Sequence, residues 1–170
     1  MASREDTKQK IVNALFDLLE KNDLESISVS NICQQASVSR MSYYRIFKNK
    51  DQIIEYELNK IFDEFFNYLM VMPMHDIPAF LEAFFTICRR NSQYIKALIG
   101  AGLNEKLYKS VNEHLTELID KGIFKLRTEL PELWVSFVAG GLNQMIVKWM
   151  NDDLSETNQE MVMVARRFLK

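Results

Sequence analysis

Between Ser26 and Lys50 the chain carries no Asp or Glu, while Arg40, Arg45, Lys48 and Lys50 stand close together. Hydroxyls and rings are interleaved with these cations at Ser39, Ser42, Tyr43 and Tyr44. Cations, hydroxyls and amide groups at helix starts are what hold phosphate oxygens, and an arginine early in a recognition helix matches guanine O6 and N7. Arg40 is therefore the candidate base reader, with Met41 and Tyr43 placed to touch a thymine methyl. Tyr44, Lys48 and Lys50 read as phosphate clamps, and Ser28, Ser39 and Ser42 add hydroxyls to the same candidate surface.

Other chemistry is poorly supplied. The histidines are His75 and His114, and there is no GxSxG, phosphate loop or dinucleotide fingerprint. Glu117 lies one turn from His114, but a metal site needs three or four ligands. Asp152-Asp153 reads as an acidic helix end. The expectation is a non-enzyme with no metal and no cofactor.

The elements that must position the basic stretch are helices. Gly (5) and Pro (3) are scarce in 170 residues, apolar residues make 48% and charged residues 26%, which argues for long helices and against sandwiches, barrels and disordered tails. Ile11, Ala14, Leu15, Leu18 and Leu19 form an apolar stripe that predicts a helix over 4–21. Ser28 then caps a short helix over 29–36, and Ser39 caps another over 40–47. Two short helices separated by about a turn make a helix-turn-helix. Further helices are predicted over 51–71, 78–90, 92–100, 104–128 and 131–151, with a last one capped by Ser155 and ending at Leu169, so the fold class is all-α with about nine helices. Pro73 and Pro78 mark the break after the fourth.

Taken over the whole chain, the net charge of −2 counts against a nucleic-acid partner. Residues 1–50, however, hold 8 basic and 6 acidic side chains, whereas 51–170 hold 13 and 17. The acidic excess belongs to the rest of the chain, and the local surface is positive.

The string from Ser28 to Lys50, SVSNICQQASVSRMSYYRIFKNK, resembles the DNA-binding signature of TetR-family transcriptional regulators. The matching positions are Ser28-Val29, Ile32-Cys33, Ala36-Ser37-Val38-Ser39, Tyr43, Tyr44, Phe47 and Lys50. Ser37 stands where the family usually has Gly, at a turn position that often takes positive φ. Cys33 replaces Ala, and Met41 stands where many members have Gly. The resemblance implies a DNA-binding head over 1–50, extending into the helix from 51, and a regulatory and dimerisation body over 51–170. It also implies a homodimer on a palindromic double-stranded DNA operator.

In the body, the helix over 131–151 is apolar on two sides. Trp134, Val138, Gly141, Met145 and Trp149 make one stripe, and Val135, Ala139, Leu142, Ile146 and Met150 the other. With Met161, Val164 and Phe168 of the last helix, the first stripe is the expected dimer interface, and Gly140-Gly141 would suit close approach of another helix. The Trp134–Met150 segment also resembles the C-terminal region of a TetR subgroup related to dihydroxyacetone-kinase regulators, which would allow control by a protein partner instead of a small molecule. Phe62, Phe65, Phe66, Phe80, Phe84, Phe85 and Tyr94 fall at helical spacings. They line an effector pocket in one reading and are plain core in the other. Arg89-Arg90 reads as a solvated helix end or, less readily, an anion site.

Cys33 and Cys88 sit apart in apolar, helical surroundings, with no CxxC and no secretory leader, and apolar runs reach only about five residues against the roughly 20 of a membrane span. The expected setting is the cytoplasm, with no membrane partner. Taken together, the expected function is a repressor released from its operator by an effector. The alternatives are a regulator or activator controlled by a protein, and a helical interaction module without DNA affinity.

Overall fold

Serine and threonine hydroxyls set where four of the helices begin. The computed structural model describes residues 3–72, 76–123 and 129–169, and among these are nine α-helices and no strand. They are α1 (Arg4–Leu19), α2 (Val29–Gln35), α3 (Arg40–Ile46), α4 (Lys50–Met70), α5 (Ile77–Arg90), α6 (Ser92–Gly100), α7 (Asn104–Asp120), α8 (Pro131–Asn151) and α9 (Asn158–Arg166). Ser3 and Asp6 make a capping box at α1, and Ser28 and Asn31 make another at α2. The Ser39 hydroxyl accepts the Ser42 N–H at the start of α3.

The chain forms two compact units: Met1–Lys60 with Ala97–Leu103, and Ile61–Lys96 with Asn104–Lys170. In the first, α1, α2 and α3 pack on one another around Ile11, Leu15, Phe16, Ile32, Tyr43 and Phe47, all buried. The first half of α4 is tied to α1 by polar contacts. The Tyr56 hydroxyl donates to Glu5 Oε1 at 2.6 Å, and Lys8 Nζ lies 3.6 Å from the Tyr56 ring centroid. Burial, and then the Glu5 contact, push the Tyr56 hydroxyl up to about 12.

In the second unit α7 packs on α8, and α5 on α9. Its core holds Leu81, Phe85, Leu118, Val138, Leu142, Ile146 and Trp149, all close to fully buried. His114 of α7 stacks on Phe62, with ring centroids 3.9 Å apart, and its Nδ1 lies 2.8 Å from the Ser110 carbonyl. Burial lowers its pKa. Cys88 is fully enclosed, which pushes its thiol up to about 12.

Three boundaries differ from those expected. The α7 helix stops at Asp120 because Gly122 takes φ +71° and closes the end, with Gly122 N–H donating to Ile119 O and Ile123 N–H to Leu118 O. The expected continuation over 124–128 lies outside the described residues, as do Pro73 and His75. The last helix is capped by Thr157 and not by Ser155, since Glu160 three residues after Thr157 returns the bond to the Thr157 N–H at 2.8 Å. It also ends at Arg166, short of Leu169.

Candidate nucleic-acid interface

The turn between α2 and α3 is closed through Ser37. Its φ of +53° lets its own N–H reach Gln34 O at 3.2 Å and the Val38 N–H reach Cys33 O at 3.0 Å. This is the left-handed helix stop in which Gly is usual, occupied here by a residue with a Cβ. The cost expected from the sequence is therefore present. Cys33 packs in the core beneath, where burial raises its thiol pKa.

The α3 surface presents Arg40, Met41, Tyr44 and Arg45, followed by Lys48, all exposed; Met41 is 81% and Tyr44 58% exposed. Ser42 is half-buried, while Ser28 and Ser39 are exposed with their hydroxyls engaged as caps. Arg40 Nη2 donates to the Ser30 hydroxyl, a bond joining the start of α3 to α2. The role of Ser30 was not apparent in the sequence, because the bond spans ten residues and a turn.

Two expected contacts are corrected. Tyr43 is fully buried, its ring edge-on to Tyr44 with centroids 5.2 Å apart, so it cannot touch a base. Its hydroxyl has no hydrogen-bond partner among the described residues, and burial, followed by Tyr44 and Cys33, pushes it up to about 12. Lys50 is not a free clamp. Its Nζ donates to the carbonyls of Leu24, of Glu25 at 3.4 Å and of Ile27 at 2.7 Å in the link between α1 and α2, where Leu24 also accepts the Ile27 N–H at 3.3 Å.

In the body the expected interface divides in two. Val138, Trp149 and Met161 are buried in the chain's own core, and Trp149 Nε1–H donates to the Glu156 carbonyl at 3.0 Å. Trp134 and Met145 are half-buried; Gly141, Val164 and Phe168 are exposed. With Phe137, which the sequence stripe did not include, Gly141, Met145, Val164 and Phe168 border an apolar groove of about 660 Å³ between α8 and α9, and Trp134 lies outside it. Phe137 and Phe168 are 66% and 70% exposed. A methyl at Gly140 would come no nearer than 4.0 Å to Tyr108, and one at Gly141 would meet nothing within 4 Å. The glycine pair is therefore not required by packing within this chain.

The aromatic run forms a chain of ring contacts. Phe62 meets Phe65 at 5.8 Å and Phe66 at 6.3 Å, Phe65 meets Phe80 at 5.6 Å, and Phe80 meets Phe84 at 5.9 Å. Phe84 continues to Phe85 and Phe85 to Trp149. Phe65 and Phe85 are core residues, whereas Phe62, Phe66, Phe84 and Tyr94 are half-buried. Among the described residues no group of three or more His, Cys, Asp or Glu could hold a metal, and no helix is long and apolar enough to cross a membrane.

An all-helical chain with a capped helix-turn-helix at its amino end and a separate helical body defines a class of regulator. A family model described as a transcriptional regulator C-terminal region matches residues 75–170, and the chain belongs to the TetR family of transcriptional regulators. It is 33% identical over 61 residues to DhaS of Lactococcus lactis, an HTH-type dhaKLM operon transcriptional activator, covering 36% of this chain and a third (33%) of that protein. It is 27% identical over 139 residues to the HTH-type regulator YdeS of Bacillus subtilis, covering 71% and 67%. A TetR transcriptional regulator from Streptococcus agalactiae has the same fold, with a TM-score of 0.69, 15% identity and coverage of 98% and 95%. Members of the family bind DNA and commonly act as dimers.

Proposed function

We propose that this regulator binds a palindromic operator as a homodimer and represses transcription until an effector reaches its body. The observation that carries this reading is the α3 surface. Arg40, Met41, Tyr44, Arg45 and Lys48 stand exposed together on a head whose residues 26–50 contain no acid. Arg40 reads guanine, Met41 lies against a thymine methyl, and Tyr44, Arg45 and Lys48 hold phosphates. The second copy covers the α8–α9 groove, whose exposed Phe137 and Phe168 otherwise face water. The effector enters among the half-buried rings Phe62, Phe66, Phe84 and Tyr94. Two free buried thiols suit work in the cytoplasm.

DNA selected from a random pool tests the reading by fluorescence anisotropy. Log K falls with log salt by about 0.9 for each phosphate neutralised. Arg40→Ala costs about 1–3 kcal/mol and relaxes preference at one base pair, whereas Lys48→Ala weakens all sequences alike and lowers the salt slope by about 1. No sequence preference, or a flat salt response, overturns the proposal and leaves a helical interaction module.

The likeness to an activator of the dhaKLM operon favours a second reading, in which the DNA-bound dimer activates and a protein partner controls it. Transcription in vitro from a template carrying the selected operator separates the two. RNA synthesis falls on addition of a repressor and rises on addition of an activator.

A further inference from the structure

The two arginines that end α5 have different tasks: Arg90 is the exposed helix end expected, whereas Arg89 is half-buried. Arg90 pairs with Glu64 at 3.3 Å and lies over Tyr68. Arg89 instead grips the connection between α8 and α9. Its Nε donates to Asn158 Oδ1 at 2.8 Å, its Nη2 to the Glu156 carbonyl at 2.5 Å, and its guanidinium carbon lies 4.7 Å from the Trp149 ring centroid. The same Glu156 carbonyl accepts the Trp149 Nε1–H, and Asn158 Nδ2 donates to Thr86 Oγ1 at 3.0 Å. Thr86 and Arg89 lie one turn apart on α5, so one face of that helix holds the last turn of α8 and the first residue of α9.

What they hold includes two successive residues in the left-handed region. Asp153 and Leu154 take φ of +54° and +59° in succession, conformations that residues with a Cβ keep only where the surroundings fix them. Backbone bonds from the Asp153 N–H to Met150 O at 3.3 Å and from the Leu154 N–H to Trp149 O at 2.9 Å close the end of α8, Lys96 pairs with Asp153 at 2.8 Å, and the bonds that meet at Glu156 and Asn158 fix the direction in which α9 then leaves. Those two helices are the walls of the apolar groove, with Phe137 on one and Phe168 at the end of the other.

We infer that Arg89 is a positioning residue for the intersubunit face, setting the α8–α9 geometry that a second copy must match. The inference rests on the homodimer reading. Arginine suits the place because a planar fork offers two donors in fixed directions and a flat face to the indole, which a lysine ammonium cannot do at once.

Sedimentation equilibrium of the full chain tests it, with thermal unfolding followed alongside. Wild type is dimeric. Arg89→Met raises the dimer dissociation constant at least tenfold, Asn158→Ala raises it by a smaller factor, and Arg89→Lys does not restore it. Leu19→Ala, a cavity in the core of the other unit, lowers the unfolding temperature and leaves the dissociation constant unchanged. Should Arg89→Met fail to fold, Asn158→Ala carries the comparison. Unchanged dissociation constants in the Arg89 and Asn158 variants of a dimeric wild type overturn the inference alone, as does an equal rise in Leu19→Ala. A wild type that is monomeric at every concentration overturns the homodimer reading and the inference with it.

Discussion

The head and the body present their outward residues by different means. In the head, α2 and α3 are capped by Ser28 and Ser39, each bonded to a residue three positions on, and the exposed cations follow within ten residues. In the body, the groove is framed by helices whose junction is held by Arg89 across 67 and 69 residues of sequence. A surface coded locally is readable as a string. A surface coded by distant contacts is not, because one apolar stripe serves equally to face the chain's own core or a partner.

The largest effect that separates these cases lies within α8. Trp149→Ala removes a side chain that is 1% exposed and is expected to destabilise the body by about 3–5 kcal/mol, read from denaturant unfolding. Phe137→Glu is expected to change the stability of the monomer by no more than about 0.5 kcal/mol while abolishing dimerisation in sedimentation. If Trp149→Ala instead left a stable monomer and Phe137→Glu a stable dimer, the division between core and interface would be reversed.

A smaller contrast lies inside α3, between two adjacent tyrosines. Tyr43→Phe removes a buried hydroxyl that has no partner among the described residues, and is expected to stabilise the head by about 1 kcal/mol without loss of DNA affinity. Tyr44→Phe is expected to leave stability within about 0.5 kcal/mol and to cost about 1 kcal/mol of DNA binding, read by anisotropy. Equal losses of DNA affinity in both would mean that Tyr43 leaves the core when DNA binds.

The same pair shows how far the sequence could be read. Helix positions in the head followed from serines and stripes, and agree with the structure to within a residue or two. Which tyrosine faces inward was not legible, since Phe47 lies four residues after Tyr43 and three after Tyr44, both spacings of one helix face, and the expectation set Tyr43 against a base where the fold buries it. Thr157 and Ser155 are equivalent by hydroxyl alone, and only Glu160 three residues beyond Thr157 decides between them. Lys50 was not legible in this way, because its acceptors lie 23 to 26 residues earlier and are backbone atoms of no particular residue type. Phe137 was missed for a related reason. Val138 beside it is buried and Phe137 is exposed, and hydrophobicity favours the larger ring for the core.

The smallest effect tests the local coding of the head most directly. Ser37 holds φ +53° at the end of α2, where a side chain costs about 1–2 kcal/mol relative to the right-handed region. Glycine removes that cost but gives the unfolded chain more freedom, worth about 0.5–1 kcal/mol in the other direction. Ser37→Gly is therefore expected to stabilise the head by about 0.5 kcal/mol, a rise of about 2–4 °C in its unfolding temperature. The dimer dissociation constant should not change, because the bonds of Arg89 and Trp149 at the α8–α9 junction are made within the body. A fall in unfolding temperature would show that the Ser37 side chain contributes more than its strain costs, and a change in dimer affinity would show that head and body are not coded separately.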